Sequence, residues 1–301
     1  MLRITSRNAV GIVCYNPNKI MNTITDIRLS PLAGRWYPAD PKKLANSVDH
    51  YIQSAKTPQL EGEVVALISP HAGHMYSGPV AGFCFSAIQD LKPDLVVILS
   101  PYHAFHSGDI LTTGHDAYQT PLGTVPVDQR KIDYIDQELS QRTGRKLSRV
   151  RNDEEHAIEI LLPFFQRVLK DTFQLVRLMI RNQDQSLMKE LGFVLSLLME
   201  GENMLLAASS DLSHFHSSES ARELDQTIFD QIINLDPEGL YLIQNQGEGE
   251  ACGMGALAAV IWAAKESGPV SAHNLKYAHS GDITGDTPRV VGYTSAVITR
   301  K

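Results

Sequence analysis

Four predominantly apolar runs of strand length constrain this chain more than anything else in it: "EVVALIS" (63–69), "PDLVVILS" (93–100), "FQLVRLMI" (173–180) and "NMLLAASS" (203–210). A strand with one wet face alternates apolar and polar residues, whereas a run that is apolar throughout must be covered on both faces. The segments between the runs carry helix signals. "DPKKLANSVDHYIQSA" (40–55) opens with Asp40 as an N-cap and Pro41 at the first helical position. "GPVAGFCFSAIQD", "QSLMKELGFVLSLLME" and "CGMGALAAVIWAAKES" (252–267) are apolar enough to pack on a sheet. Further helices are expected at about 129–142 and 153–169, short strands around turns at 108–128, and two closing strands in "HNLKYAHS" and "VVGYTSAVITR". The fold class this predicts is α/β: a doubly wound, mostly parallel sheet with helices on both faces, in three α/β/α layers.

No repeat, low-complexity tract or Pro/Gly/Ser linker divides the 301 residues, so one domain is expected from residue 30 to 301. Residues 1–29 read as an N-terminal extension without organised structure, with Met21 as an alternative start. With 27 basic against 34 acidic residues the formal charge is −7, and no basic run appears. That balance argues against direct nucleic-acid binding, which needs clustered Lys and Arg. No apolar stretch approaches the roughly 18–20 residues of a membrane span. Cys14, Cys84 and Cys252 form no CxxC pair and no disulfide framework, which fits a reducing, cytoplasmic setting.

Ligands of open parallel sheets bind outside the carboxyl ends of the strands. The first run exits into Ser69-Pro70-His71, the second into Ser100-Pro101-Tyr102-His103, and the fourth into Ser209-Ser210-Asp211-Leu212-Ser213-His214. Three exits thus bring imidazoles, and one also an acid, to one edge of the sheet. Imidazole and carboxylate suit Fe(II), Zn(II) or Cu, and two His with one carboxylate suit non-haem iron. Cys252 stands at the expected start of an apolar helix, where the dipole lowers a thiol's pKa, so it reads as a thiolate ligand or nucleophile. Gly249, Gly253 and Gly255 around it permit close backbone approach. In "RNDEEHAIEILLPFF" (151–165), helical spacing puts Glu155 with Glu159 at i,i+4 and His156 with Glu159 at i,i+3, making His156 a candidate acid or base beside a metal.

Each residue also has an ordinary reading. His74 and His106 read as turn or surface histidines, Asp211 as a helix N-cap, His156 as one half of a pair on an exposed helix face, and Cys84 as core. His50, His115 and His273 carry no constellation.

"SPLAGRWYPAD", "SPHAGHMYSG", "LSPYHAF", "YQTPLGTVPVD", "DEEHAIEILLPFF", "SSDLSHF" and "CGMGAL" follow one another in the order and spacing of the Memo family, which the chain resembles from about Ser30 to its end. Microbial members are called AmmeMemoRadiSam system protein B, and the family is similar in fold to class III extradiol dioxygenases. The resemblance implies a metal site at His71, His103, Asp211, His214 and Cys252, with an iron, Fe(II), or copper, Cu(I), ion; zinc also suits these ligands. It implies catalytic roles for His156, His214 and Asp211, and AMMECR1-like and radical SAM proteins as partners. Two departures stand out: relatives often carry a second histidine where this chain has Ala104, and a Trp where it has Phe215. The expected function is a metal-dependent redox enzyme acting on a small molecule or peptide. Two alternatives belong to other classes: a non-catalytic adaptor, like the animal members that resemble phosphotyrosine-peptide binders, and a metal-dependent hydrolase.

Overall fold

All four apolar runs form strands buried along almost their whole length, because neighbouring strands and helices cover them on every side. The computed structural model describes residues 24–169 and 171–301. In chain order the elements are β1 (Ile27–Arg28), α1 (Pro41–Ser54), β2 (Glu63–Ser69), α2 (His74–Ser86), β3 (Leu95–Pro101), β4 (Ile110–Thr113), β5 (Ala117–Thr120), β6 (Gly123–Pro126), α3 (Gln129–Thr143) and β7 (Leu147–Val150). Then follow α4 (Leu162–Val168), β8 (Gln174–Ile180), α5 (Gln185–Gly201), β9 (Met204–Ser209), β10 (His214–His216), α6 (Ser218–Ile233), α7 (Pro237–Gln246), α8 (Met254–Glu266), β11 (Val270–His279), α9 (Ser280–Thr284) and β12 (Val290–Arg300).

The main sheet runs β10-β12-β2-β9-β3-β8-β4-β7, with β11 also paired to β12. Its centre, β2-β9-β3-β8, is parallel throughout. The flanks are mixed: β12 runs antiparallel to β2 and to β11, and β4 antiparallel to β8. Helices cover both faces, α1 packing on α2 and α5 on α8, so the doubly wound three-layer expectation holds. A small second sheet, β1-β5-β6, takes up part of the short strands expected at 108–128, with β5 and β6 paired as a hairpin. The Asp40 cap is made as expected, its carboxylate accepting from Lys43 N at 2.8 Å.

Two expectations are corrected. Organised structure begins before Ser30, because Ile27–Arg28 pairs with β5 and Arg28 is buried. Residues 1–23, with Cys14 and Met21, lie outside the described residues. The helix expected from 153 starts later, as a 3-10 turn at Glu159–Leu161 leading into α4. Asn152 has φ 53, in the left-handed region, and the Glu155 carboxylate accepts from the backbone N–H groups of His156 and Ala157 at 2.8 and 3.0 Å. Side-chain oxygens that bond nearby N–H groups compete with helix formation. The i,i+4 and i,i+3 spacings inferred for Glu155, His156 and Glu159 therefore do not apply.

Arg28 organises that loop from below. Its guanidinium donates to the Asp153 carbonyl at 2.7 and 3.1 Å and to the Glu155 carbonyl at 3.2 Å, and pairs with Glu159. Arg177 grips the Asp153 carboxylate at 3.0 and 3.2 Å, and both guanidiniums flank the Tyr118 ring. Glu159 also accepts from Ser30 Oγ and Tyr37 Oη at 2.5 and 2.7 Å. Removing one partner of a buried ion cluster leaves a charge uncompensated. Arg28→Met is expected to cost about 3–5 kcal/mol in urea denaturation; a loss well under ~1 kcal/mol, the range of a surface pair, would contradict this role.

His74 opens α2 but is neither a turn nor a surface residue. It is buried between Tyr37 and Phe164, with Nε2 2.8 Å from the Ile160 carbonyl. Burial pushes its imidazole down to about 4 from 6.5, against the opposing pull of that carbonyl. The unfolded chain therefore binds the proton between these values and the folded chain does not. Stability is full above about pH 6.5 and falls as pH drops towards 4, by on the order of 3 kcal/mol from this group. Urea midpoints measured from pH 7.5 down to 4.5 should fall less steeply for His74→Gln than for the natural chain; equal slopes would refute the assignment.

Candidate metal centre

The parallel order β2-β9-β3 makes the three strand exits neighbours, and the loop before α4 closes over them. His71 follows β2 and is 1% exposed. Its backbone N–H donates to Asp211 Oδ1 at 2.7 Å and its Nδ1 lies 2.8 Å from Ser209 Oγ. That hydroxyl spends its one hydrogen on the Ala157 carbonyl at 2.5 Å, so towards the ring it accepts. His71 Nδ1 therefore carries the proton and Nε2 the lone pair.

The same logic fixes His103, after β3. Its Nδ1 lies 2.9 Å from Glu155 Oε1, an acceptor, so the lone pair is again on Nε2. Glu155 also accepts from His103 N at 2.7 Å. Burial alone would raise this carboxyl, but the hydrogen bonds donated by His103 and by the Ala157 N–H hold it at about 2. A carboxylate behind an imidazole is how metal-binding histidines are commonly oriented.

His156, on the Arg28-supported loop, completes a cluster. The ligand nitrogens of His71, His103 and His156 all lie within 4.8 Å of one another. The ring centroids of His71 are 5.5 Å from His103 and 5.3 Å from His156, both edge-on, while His103 and His156 stack at 4.5 Å. Trp36 covers His156 from outside, centroids 4.4 Å apart. Burial and then mutual repulsion lower the His71 imidazole well below its ordinary value; burial, only partly opposed by Glu155, takes His156 down to about 4. The imidazoles of His71 and His156 are thus neutral near pH 7, the form that binds metals.

Cys252 approaches from the far side, with Sγ 3.3 Å from His71 Nε2 and 3.3 Å from the Asp211 N–H that donates to it. It precedes α8 by two residues, and burial, together with the Asp211 carboxyl, pushes its thiol up instead of down. The expectation of a thiol acidified by the helix is corrected: in the metal-free protein this sulfur is protonated. Asp211 turns one carboxylate oxygen to His71 N, and burial raises its carboxyl to about 7 despite that bond. His214 anchors β10 through its N–H to Glu250 Oε1 at 2.6 Å, and burial lowers its imidazole. Of the residues expected from sequence, His71, His103 and His156 share one cluster and Cys252 touches it at His71. Asp211 and His214 stand outside the mutually close set.

The chain matches the family described as Memo-like protein over residues 28–297. It is 31% identical to a MEMO1 family protein of Nitrosopumilus maritimus over 271 residues, covering 89% of this chain and 98% of that one. It is also 31% identical to one from Methanosarcina mazei, covering 91% and 99%. This chain belongs to the Memo family. Among solved structures, the uncharacterized protein JW3007 from Escherichia coli K12 shares the fold, with TM-score 0.50 and 13% identity over 79% of this chain and all of that one.

Sequence reasoning missed three contributors to this Memo-family site. Helical spacing points to Glu159 as the carboxylate beside His156, whereas the structure puts Glu155 there and on His103; Ser209 and Trp36 carry no sequence signal of a role. His115, left without a constellation, is buried and bridges Asp26 Oδ1 at 2.8 Å and the Asn152 N–H at 3.0 Å, bracing the same loop. Phe215 is 61% exposed, with Arg289 5.3 Å over its ring, so it packs against charge and water, not core. Long-range proton–nitrogen NMR on metal-free protein should find both His71 and His103 as Nδ1–H tautomers; an Nε2–H signal for either would contradict the hydrogen-bond assignment.

Proposed function

We propose that this Memo-family chain holds a non-haem iron or copper ion through His71, His103 and Cys252, and acts as a metal-dependent redox enzyme resembling class III extradiol dioxygenases. The carrying observation is the convergence of three imidazoles within 4.8 Å with the Cys252 sulfur 3.3 Å from His71 Nε2. The donor set fits an ion: two rings keep their Nδ1 protons on Ser209 and Glu155, which leaves both Nε2 lone pairs for a cation. A thiol among the ligands favours the softer Cu(I), imidazoles with a nearby carboxyl suit Fe(II), and zinc is compatible with the same atoms. When bound, a redox-active ion would supply electron exchange with substrate.

The chain's own residues would prepare that chemistry. Glu155, ionised and accepting four hydrogen bonds, orients His103 and fixes its tautomer. Asp211 braces the His71 backbone and, through its N–H, the sulfur. It and His214 are the groups nearest to hand for holding or moving a proton, with His156 as a ligand or base within the cluster. AMMECR1-like and radical SAM partners, and a cytoplasmic setting, belong to the same proposal. No helix among the described residues is long and apolar enough to cross a membrane.

Protein purified without oxygen should bind Fe(II) or Cu(I) at one ion per chain. His71→Ala should abolish binding, and Glu155→Gln should weaken it about 10–100-fold. Failure to bind either ion, or full affinity in His71→Ala, would sink the proposal.

A further inference from the structure

An open cleft of about 480 Å³ adjoins the cluster, its lining including Leu212, His214, His216, Leu224, Glu250 and Cys252. Small-molecule sites commonly span roughly 300–1,000 Å³. Cys252 belongs to both places: the residue lines the cleft, and its sulfur lies 3.3 Å from His71 Nε2. A molecule seated in the cleft is therefore one residue, Cys252, away from the histidine cluster.

The cleft's chemistry is one-sided. Among the described residues, Glu250 is its one carboxylate, and no Lys or Arg lines it. The Glu250 carboxylate is fixed by two donors on the same oxygen: the His214 N–H at 2.6 Å and His216 Nε2 at 3.0 Å, both to Oε1. Among the described residues no donor reaches Oε2. The side chain is 43% exposed, so its second oxygen remains available in the cleft that Leu224 also lines. The nearby guanidinium of Arg289 lies over the Phe215 ring. A rigidly held carboxylate next to apolar wall is suited to a cation on an aliphatic stem, and it repels anions.

We infer that this is the substrate cleft of the metal centre and that it takes a small molecule presenting a protonated amine to Glu250, with its carbon stem along Leu224. This rests on the metal-centre reading for the word substrate, but the ligand class rests on the cleft alone. By the same chemistry the cleft disfavours phosphorylated or carboxylate ligands.

The test uses three probes of matched size, butylammonium, butanol and butanoate, titrated into the nitrogen-15-labelled full chain, both metal-free and loaded with zinc. Butylammonium should shift the amides of His214, Glu250 and Cys252 and bind at least about fivefold more tightly than butanol, with butanoate weakest. Glu250→Gln should bring butylammonium to the level of butanol, and Leu224→Ala should weaken all three together without changing their order. Butanoate binding as tightly as butylammonium, an unchanged preference in Glu250→Gln, or no binding by any probe would overturn the inference. Because the natural chain's charge preference decides by itself, a misfolded variant does not rescue the idea. Amine preference without metal binding would fault the metal reading alone; metal binding without amine preference would fault this one alone.

Discussion

The parallel pairing of β9 between β2 and β3 is the constraint on which the site depends. Ser69 pairs with Ser209 and Leu99 with Ala208, so the three strands end level with one another. Parallel strands present their carboxyl ends on the same edge, and each leaves the sheet through a polar turn. His71, the Asp211–His214 segment and His103 are neighbours for that reason, although about thirty to one hundred and forty residues separate them in the chain. A hairpin connection at any of these positions would send one exit to the opposite edge.

Electrostatics then determines what the assembled edge can do. The imidazoles of His71 and His156 resist protonation, since an added charge there meets burial first and then neighbouring histidine rings. Glu155 is kept ionised beneath them by donated hydrogen bonds, and Arg28 holds the carbonyls of the same loop. The result is a negative support at His103 beside neutral imidazoles at His71 and His156, with a protonated thiol alongside. Such an arrangement is short of positive charge, and a metal cation would supply it while deprotonating the thiol.

The sheet and its exits were legible because burial on both faces leaves predominantly apolar runs, interrupted by Arg177 in one of them, and because the exit rule is geometric. His71 and His103 followed directly. The loop at 153–158 was not legible. Its acids have the composition of a helix N-terminus, and only the fold reveals that Glu155 caps its own backbone and reaches across to His103. β1 was missed because two residues carry no periodicity; what marks Arg28 as interior is a set of partners 125 to 131 positions away. For Cys252 the helix was foreseen but the balance was not. The sulfur sits two residues ahead of α8 in a dry pocket, where loss of hydration outweighs the dipole.

The most direct measurement of the central claim is X-ray absorption on the protein loaded anaerobically with Fe(II) or Cu(I). The account predicts imidazole scattering from at least two rings together with one sulfur neighbour, the sulfur vanishing in Cys252→Ser while the imidazole signal persists. A bound ion surrounded only by oxygen, or a spectrum unchanged by Cys252→Ser, would contradict it.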